Sequence, residues 1–145
     1  MNALQNSLLT LLSDSYGLYR MAQTFHWNVT GPNFASLHAL FEEQYTDLAA
    51  AIDEMAERLR ALDVMIPVQL GPSSSGIADL TEADQKIDAT RMVRRILDAN
   101  MAVAKSARAL ADQAEEASDP VTADMGIGRA QVHEKMAWML KATLQ

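Results

Sequence analysis

One stretch of the sequence repeats apolar residues in steps of three and four along its whole length. The apolar positions are Phe34, Leu37, Phe41, Tyr45, Leu48, Ile52, Met55, Leu59 and Leu62. This spacing predicts a single long helix with one apolar face, because residues three and four apart lie on the same side of a helix. A stripe of this kind is typical of the seam between packed helices. The segment therefore favours a helix bundle.

The residues before this helix also show helical spacing. A first helix is predicted from near Ala3 to Asn28, slightly weakened by Gly17. Its inward stripe is expected to contain Leu4, Leu8, Leu11 or Leu12, Tyr19, Ala22 and Phe25 or His26. Gly31 and Pro32 then break the chain, and Asn33 is a candidate N-cap for the next helix. Because the turn is short, these two helices should be antiparallel neighbours.

The helical pattern is lost between Asp63 and about Leu80, where prolines, glycines and serines are frequent. A structureless loop of that length is unusual in a compact domain. We interpret the segment as a crossover that runs along the bundle, with room for a short helix in its apolar part, residues 64–70. A third helix is predicted from roughly Ala83 to Ala117.

Asp119 and Pro120 supply an N-cap and a first-position signal for a fourth helix that runs to the C-terminus. Gly126 and Gly128 are expected to loosen its first turns. No run has the bounded alternation of a strand. Two helical hairpins joined by one long connection form the ferritin-like arrangement of a four-helix bundle. The prediction is an all-α fold with a single domain, residues 1–145.

The composition limits the chemistry that this chain can perform. It has 145 residues, and 49% of them are hydrophobic. That suits one domain with a real core. The absence of cysteine excludes disulfides, zinc-thiolate sites, iron-sulfur clusters and cysteine nucleophiles. A net charge of -7 attracts cations and disfavours non-specific binding to nucleic acid. Neither a signal peptide nor a membrane span is predicted, so a cytoplasmic location is expected.

Four residues with metal-binding side chains, His26, His38, Asp53 and Glu57, are separated by 12, 15 and 4 positions. Imidazole and carboxylate groups are typical of iron sites that keep positions open for oxygen or peroxide. On a helical wheel, His38, Glu42, Asp53 and Glu57 share one flank of the long helix. However, 15 residues of helix span about 22 Å, so one chain can hardly gather all four ligands. A two-fold interface between antiparallel copies of this helix would bring them together.

Other interpretations of these residues stay open. A histidine beside an apolar face is usually a satisfied core or interface residue, and a charged helix segment is usually solvated. Trp27 and Trp138 are typical core or interface filler. His133 begins a zinc-protease pattern that fails, because position 137 is alanine. The Glu-x-x-His pattern of ordinary di-iron bundles is also missing, which argues against a buried centre within one subunit.

The segment FHWNVTGPNFASLHALFEEQYTDLAAAIDEMAER resembles the signature of the Dps proteins, the mini-ferritins named DNA-binding proteins from starved cells. The segments DPVTADM and HEKMAWML extend the resemblance over nearly the whole chain. In that family the matching residues form a ferroxidase centre between subunits. The resemblance implies three groups of site residues: the ligands His26, His38, Asp53 and Glu57, the auxiliary acid Glu42, and the radical-intercepting tryptophans Trp27 and Trp138.

The resemblance further implies a dodecameric hollow shell. Such a shell oxidises Fe(II), preferably with hydrogen peroxide. Each centre holds either two iron ions alike, or one ion bound tightly and a second bound weakly. The ferric mineral is stored inside. Acidic residues near the start of the last helix commonly line pores for iron, which makes Asp119 and Asp124 candidates. The competing interpretation of this pair is structural: Asp119 is an N-cap, and Asp124 is a first-turn acid that stabilises the helix dipole.

The chain also departs from the family pattern. It begins MNALQNSLLT and ends LKATLQ, without the Lys/Arg-rich tail of many DNA-binding members, so DNA binding is not expected. Two alternatives to the ferroxidase hypothesis are kept. One is a structural protein that coats DNA, and the other is a bundle that holds zinc or manganese structurally, since these ligand types suit several divalent ions.

Overall fold

Four long helices dominate the computed structural model, which describes residues 1–74 and 76–145. They are α1 (Ala3–Asn28), α2 (Phe34–Ala61), α3 (Ala89–Glu116) and α4 (Pro120–Thr143), with a short 3₁₀ helix (Glu82–Lys86) before α3. α1 packs against α2 and α3, and α3 packs against α4. Two hairpins are thus joined by one long crossover. The predicted all-α four-helix bundle is confirmed, and the described residues contain no strand.

The bounds of α1 agree with the prediction, and the structure explains where the helix begins. The side chain of Asn2 accepts a hydrogen bond from the Gln5 backbone N–H at 2.8 Å, and the Gln5 side chain accepts one from the Asn2 N–H at 2.9 Å. This reciprocal pair satisfies two backbone donors that a helix start leaves free. The predicted inward stripe is buried except for Tyr19, which is half-buried.

α2 begins after Asn33, as predicted, but the side chain of Asn33 makes no capping hydrogen bond. Its backbone has a ψ of 19°. That value lies outside the extended conformation in which a capping side chain usually reaches back to the helix. Phe41, Leu48 and Leu59 on the predicted stripe are fully buried, whereas Phe34, at the end of the stripe, is 44% exposed. The stripe therefore enters the core only after the first turn.

The chain leaves α2 through a tight turn rather than a second helix. Asp63 takes a left-handed conformation with φ of 63°. The Val64 N–H donates to the Leu59 carbonyl at 2.9 Å, and the Asp63 N–H donates to the Arg60 carbonyl at 3.0 Å. These are the two bonds of a Schellman ending, here without glycine.

The short helix considered for residues 64–70 is absent there, so that part of the crossover prediction is wrong. Pro67 has no backbone N–H and disfavours helical backbone in the residue before it.

The start of α3 was placed too early by the prediction from Ala83. A 3₁₀ helix occupies Glu82–Lys86 instead, and α3 begins at Ala89. Asp88 separates the two with extended backbone, and its side chain accepts a hydrogen bond from the Arg91 N–H at 2.9 Å. The capping aspartate therefore fixes the start of α3, and apolar spacing alone did not show it.

A buried carboxylate fastens the crossover to the bundle. Asp14 on α1 is 2% exposed, and it accepts hydrogen bonds from the Ser74 N–H at 2.6 Å and the Ser74 hydroxyl at 2.8 Å. Ser106 on α3 donates to the same carboxylate at 2.5 Å. Nearby, a side chain at Gly17 would come within 2.9 Å of the Ala78 carbonyl. Gly17 therefore admits the crossover against α1, at the small cost in helix propensity that the sequence suggested.

The start of α4 confirms the predicted signals. The Asp119 side chain accepts a hydrogen bond from the Thr122 N–H at 3.0 Å, and Pro120 occupies the first helical position. Gly126, however, does not loosen the helix as expected. A side chain at that position would lie 2.8 Å from the Ala107 carbonyl oxygen and 2.8 Å from the Ala111 nitrogen. Gly126 instead lets the backbones of α3 and α4 approach closely.

Candidate metal centre

Two of the predicted ligands meet where α1 turns into α2. His26 lies two residues before the end of α1, and His38 lies in the second turn of α2. Gly31, with φ of 106°, allows the chain to reverse between them. This backbone conformation is disfavoured for residues with a side chain. The two imidazole rings are stacked, with their centroids 3.7 Å apart and their planes at 12°.

Each histidine is held by the backbone of the other. His26 Nδ1 lies 2.7 Å from the His38 carbonyl oxygen, and His38 Nδ1 lies 2.7 Å from the His26 carbonyl oxygen. A carbonyl oxygen can only accept, so both Nδ1 atoms carry the proton and donate. In the neutral rings the lone pair is then on Nε2, the form that binds a metal. This outer hydrogen bond is the usual device that orients a metal-binding histidine.

Neighbouring rings complete the walls around the pair. Phe34 stacks on His38 with centroids 5.0 Å apart, and Tyr45 meets His26 edge to face at 5.2 Å. His26 is 7% exposed, whereas His38 is half-buried. The histidine pair is therefore a rigid and partly open cluster at one end of the α1–α2 hairpin.

The predicted carboxylates do not join the histidines within one chain. Asp53 and Glu57 are exposed on the second half of α2, one turn apart. The stretch of helix from His38 to Asp53 corresponds to about 22 Å. Among the described residues, no group of three or more His, Asp or Glu side chains is close enough to hold one metal ion. Glu42, one turn after His38, is exposed as well.

The two tryptophans lie on the surface of the chain. Trp27 is 66% exposed and Trp138 is 65% exposed. Their interpretation as core filler is therefore wrong, while the interpretation as interface residues stays open. Trp27 follows His26 directly, which puts it at the same end of the hairpin as the histidine pair.

The two candidate pore residues differ in how free their carboxylates are. Asp119 accepts hydrogen bonds from Thr122 and from Arg58, whose guanidinium lies 3.0 Å away. Burial alone would raise the pKa of Asp119, but these hydrogen bonds and the Arg58 charge together lower it from 3.8 to about 2. Asp124 is exposed on the next turn of α4. Both line an open groove of about 1160 Å³ between α3 and α4.

A polar cluster inside the bundle was not predicted from the sequence. His133 on α4 is 1% exposed, with Nδ1 3.0 Å from the Asn100 side-chain oxygen and Nε2 3.0 Å from the Arg129 guanidinium. Asn100 also accepts a hydrogen bond from Gln44 at 2.6 Å, and Arg129 reaches Asp47 at 2.9 Å. Residues from α2, α3 and α4 are thus joined through buried hydrogen bonds.

This cluster explains why His133 is not available as a ligand. Asn100 Oδ1 accepts, so His133 Nδ1 carries the proton, and the lone pair on Nε2 accepts from Arg129. Burial and then the Arg129 charge lower the pKa of His133 to about 3, which keeps the ring neutral. Two features of the sequence could have indicated this cluster. Asn100 is a polar residue within the apolar stripe of α3, and His133 lies four residues after Arg129, on the same side of α4.

Comparisons with known proteins agree with this architecture. The sequence model of the ferritin-like domain family matches residues 5–145. A protein from Brevibacillus brevis named DNA protection during starvation protein is 37% identical over 128 residues, covering 88% of this chain and 85% of that protein.

Solved structures give the same result. A Dps protein from Bacillus brevis has a TM-score of 0.83 at 32% identity and covers 100% of this chain and 99% of its own. A Dps protein from Vibrio cholerae O1, described as a member of a broad superfamily of ferritin-like diiron-carboxylate proteins, has a TM-score of 0.82 at 32% identity. It covers 98% of this chain and 89% of its own. In the described part of this chain, no helix has the length and apolar character needed to cross a membrane.

Proposed function

The chain belongs to the ferritin-like family, in its Dps branch, and on that premise we propose that it is an iron-storing mini-ferritin with ferroxidase centres between subunits. Family membership supports iron storage and protection in general. The observation that carries the specific proposal is the histidine pair, in which both imidazoles donate through Nδ1 to backbone carbonyls. Both Nε2 atoms are thereby kept for a metal.

The missing ligands come from a second copy of α2. If two copies pack antiparallel around a two-fold axis, the histidine pair of one subunit faces Asp53 and Glu57 of the other, and the contact repeats to give two equivalent centres. The axis then passes α2 midway between His38 and these carboxylates, near Thr46 and Ala49. Both residues are exposed, and they lie on the same flank of α2 as His38 and Asp53.

Each group has a role in the proposed centre. His26 and His38 bind Fe(II) through neutral nitrogens, and Asp53 and Glu57 supply the negative charge that favours the ferric product. Glu57 bridges the two metal positions, and Glu42 is an auxiliary ligand. Zinc or manganese can occupy the same ligand set.

The proposed reaction consumes iron and peroxide together. Two Fe(II) ions each give one electron to hydrogen peroxide, which takes up two protons and leaves as two water molecules. The ferric ions then move to acidic positions on the inner wall of a dodecameric shell and are stored as mineral. Because both reagents are removed at once, hydroxyl-radical formation is suppressed. Trp27 and Trp138 intercept radicals that escape.

Iron reaches the inside of the shell through acidic pores near the start of α4. Of the two candidates, Asp124 has the exposed carboxylate, whereas Asp119 is already neutralised by Arg58. We therefore assign the cation-attracting role to Asp124. Asp119 also has a structural role, because it is the N-cap of α4 and the ion-pair partner of Arg58. Any contribution of Asp119 to the pore is additional to that role.

Iron handling is preferred to DNA coating because the chain is acidic. Its net charge of -7 repels the phosphate backbone, whereas it concentrates Fe(II). A gel-shift titration at low salt without free divalent metal should leave duplex DNA unbound. Retention of the duplex would favour the DNA-coating alternative.

A matched pair of α2 variants tests the centre. Glu57→Gln removes the bridging charge, whereas Glu54→Gln removes a charge that is also exposed but lies off the ligand flank. Peroxide-driven Fe(II) oxidation should slow by more than about tenfold in the first variant. Loss of a group that only supports the ligands of a metal site already costs about tenfold or more. It should be unchanged in the second. Equal rates in both variants would remove Glu57 from the centre.

A cross-linking experiment tests the two-fold axis. Because the chain has no cysteine, Thr46→Cys introduces a single thiol beside the proposed axis. A short bis-maleimide should convert this variant to covalent dimers, since packed helices lie about 8–10 Å apart. Lys135→Cys, on an exposed face of α4, is the control and should remain uncoupled. Dimer formation in the control alone would place the interface elsewhere.

A further inference from the structure

All three tyrosines of the chain lie in one line of ring contacts that begins at the histidine pair. The His26 and Tyr45 rings are 5.2 Å apart, with planes at 71°. Tyr45 meets Tyr19 at 6.2 Å and 83°, and Tyr19 meets Tyr16 at 6.1 Å and 73°. Each step is an edge-to-face contact in the usual range for aromatic pairs. The line crosses from α2 to α1 and then follows α1 away from the turn.

Exposure increases at the far end of this tyrosine line. Tyr45 and Tyr19 are half-buried, whereas Tyr16 is 44% exposed. Tyr16 also lines an open cleft of about 470 Å³ between α1 and the crossover, together with Arg20 and Pro67. The line therefore connects the candidate ligands to solvent at a position three turns of α1 away from His26.

Hydroxyl groups distinguish this line from the buried part of the α1–α2 contact. Where the α1–α2 contact is fully buried, the chain uses phenylalanine, and Phe25 and Phe41 meet there with centroids 6.1 Å apart. Along the tyrosine line the rings carry hydroxyls, and the Tyr19 oxygen accepts a hydrogen bond from Gln23 at 3.0 Å. A phenol can lose one electron and its hydroxyl proton, a reaction that phenylalanine lacks.

We propose that Tyr45, Tyr19 and Tyr16 form a relay that moves an oxidising equivalent from the metal centre to the protein surface. This inference rests on the proposed ferroxidase function. It concerns the case in which one Fe(II) meets hydrogen peroxide without a second iron. That ion gives one electron, and the O–O bond breaks to yield hydroxide and a hydroxyl radical beside the ligands.

The relay removes this radical in balanced steps. The hydroxyl radical takes one electron and one proton from Tyr45 and becomes water. An electron from Tyr19 then refills Tyr45, and an electron from Tyr16 refills Tyr19. Each refilled phenol regains a proton, and the proton from the Tyr16 hydroxyl passes to solvent. In sum, one hydroxyl radical and one Tyr16 phenol give one water and one Tyr16 phenoxyl radical at the exposed end.

The two tryptophans are not part of this route. Among the described residues, the aromatic contacts of His26 and His38 are with each other, Phe34 and Tyr45, and none involves Trp27 or Trp138. The tyrosine relay therefore acts across the α1–α2 hairpin within one chain. Tryptophans that intercept radicals at the surface would act separately.

Tyr19→Phe is the variant that tests the relay, because it keeps the ring and touches neither histidine. Wild type and variant are loaded with less than one Fe(II) per centre, mixed with hydrogen peroxide, quenched by freezing and examined for a tyrosyl radical by electron paramagnetic resonance. Oxidation of each tyrosine is then mapped by mass spectrometry. Oxidation at Tyr16 should fall more than about tenfold. A rise of only about 1.4 kcal/mol in the barrier to electron transfer through position 19 is enough for a tenfold decrease. Oxidation at Tyr45 should rise, while Fe(II) is consumed at the wild-type rate.

Two controls separate the relay from direct attack on an exposed ring. Hydroxyl radicals generated by chelated iron in solution should oxidise Tyr16 equally in wild type and Tyr19→Phe. Trp27→Phe should leave Tyr16 oxidation undiminished. Equal Tyr16 oxidation in wild type and Tyr19→Phe after centre-driven turnover would overturn the relay. Failure of the wild type to oxidise Fe(II) would instead overturn the ferroxidase proposal on which the relay rests.

Discussion

Two inactive variants should regain Fe(II) oxidation when they share a dimer, if each centre takes its ligands from two subunits. One variant carries His26→Gly and His38→Gly, and the other carries Asp53→Asn and Glu57→Gln. Each variant alone lacks half of every centre. This follows from the geometry, because about 22 Å of helix separates His38 from Asp53 within one chain.

The size of the recovery follows from two-fold symmetry. In a mixed dimer, one centre combines the intact histidines of the second variant with the intact carboxylates of the first, while the other centre has neither. Random pairing of equal amounts makes half of the dimers mixed, and each of these has one of two centres intact. The recovered rate should therefore be about one quarter of the wild-type rate.

The assay requires exchange of subunits before measurement. The variants are unfolded together in denaturant at different ratios, refolded, and supplied with Fe(II) and hydrogen peroxide while the absorbance of the ferric product is recorded. The rate should be greatest at equal proportions. Each variant refolded alone, with its mass and helix content measured, serves as the control for loss of the His26 and His38 hydrogen bonds at the α1–α2 turn.

A mixture that oxidises Fe(II) no faster than the average of its two components would show that the centre is not shared between subunits. Both variants must refold and assemble for that comparison to apply, which the mass and helix-content controls establish. Full activity in the carboxylate variant alone would show that Asp53 and Glu57 are not ligands.

Two further predictions concern stability. Because the folded-state pKa of Asp119 is depressed to about 2, its stabilising contribution is fully present above the unfolded-state value and is lost as pH falls through about 2. Asp119→Asn keeps the N-cap but should cost about 1 kcal/mol at neutral pH, once solvent screening of the ion pair is allowed for. It should also flatten the acid limb of a urea unfolding series, whereas exposed Asp124→Asn should do neither. Gly126→Ala should lower the melting temperature because its methyl group meets backbone atoms of α3. Gly128→Ala, with open space around it, should raise stability by about 0.5–1 kcal/mol. Equal thermal shifts in the two glycine variants would contradict the close approach of α3 and α4.

Local signals in the sequence predicted much of the fold. The bounds of α1 followed from its apolar spacing and the Gly31–Pro32 break, and Asp119 with Pro120 marked the start of α4. Such signals act within one or two turns, so they can be read from neighbouring residues. The start of α3 also has a local signal, the capping residue Asp88, but apolar spacing alone predicted an earlier start. Apolar spacing continues through the region before Asp88, and the 3₁₀ helix there is stabilised by an ion pair between Asp84 and Arg95 at 3.2 Å.

The candidate metal centre could be predicted only as a set of residues. Spacing indicated which side chains could bind iron, but the bonds that orient His26 and His38 end on backbone carbonyls, which have no sequence signature. The exposure of Trp27 and Trp138 was equally hidden, because large apolar residues are more often buried. The buried role of His133 could not be predicted either, since it depends on Asn100, which lies on a different helix and is brought close only by the fold.

In the proposed centre, the reciprocal bonds of the histidine pair would also determine which ligands bear the entropic cost of iron binding. Immobilising a rotamer-rich side chain on binding costs about 0.5–1.5 kcal/mol. His26 and His38 are already fixed against the backbone when the chain folds, so they have little rotational freedom left to lose. Asp53 and Glu57 are exposed, and no hydrogen bond to either side chain occurs among the described residues. The histidine half of the proposed centre is thus preorganised, and most of the ordering on iron binding would fall on the carboxylates.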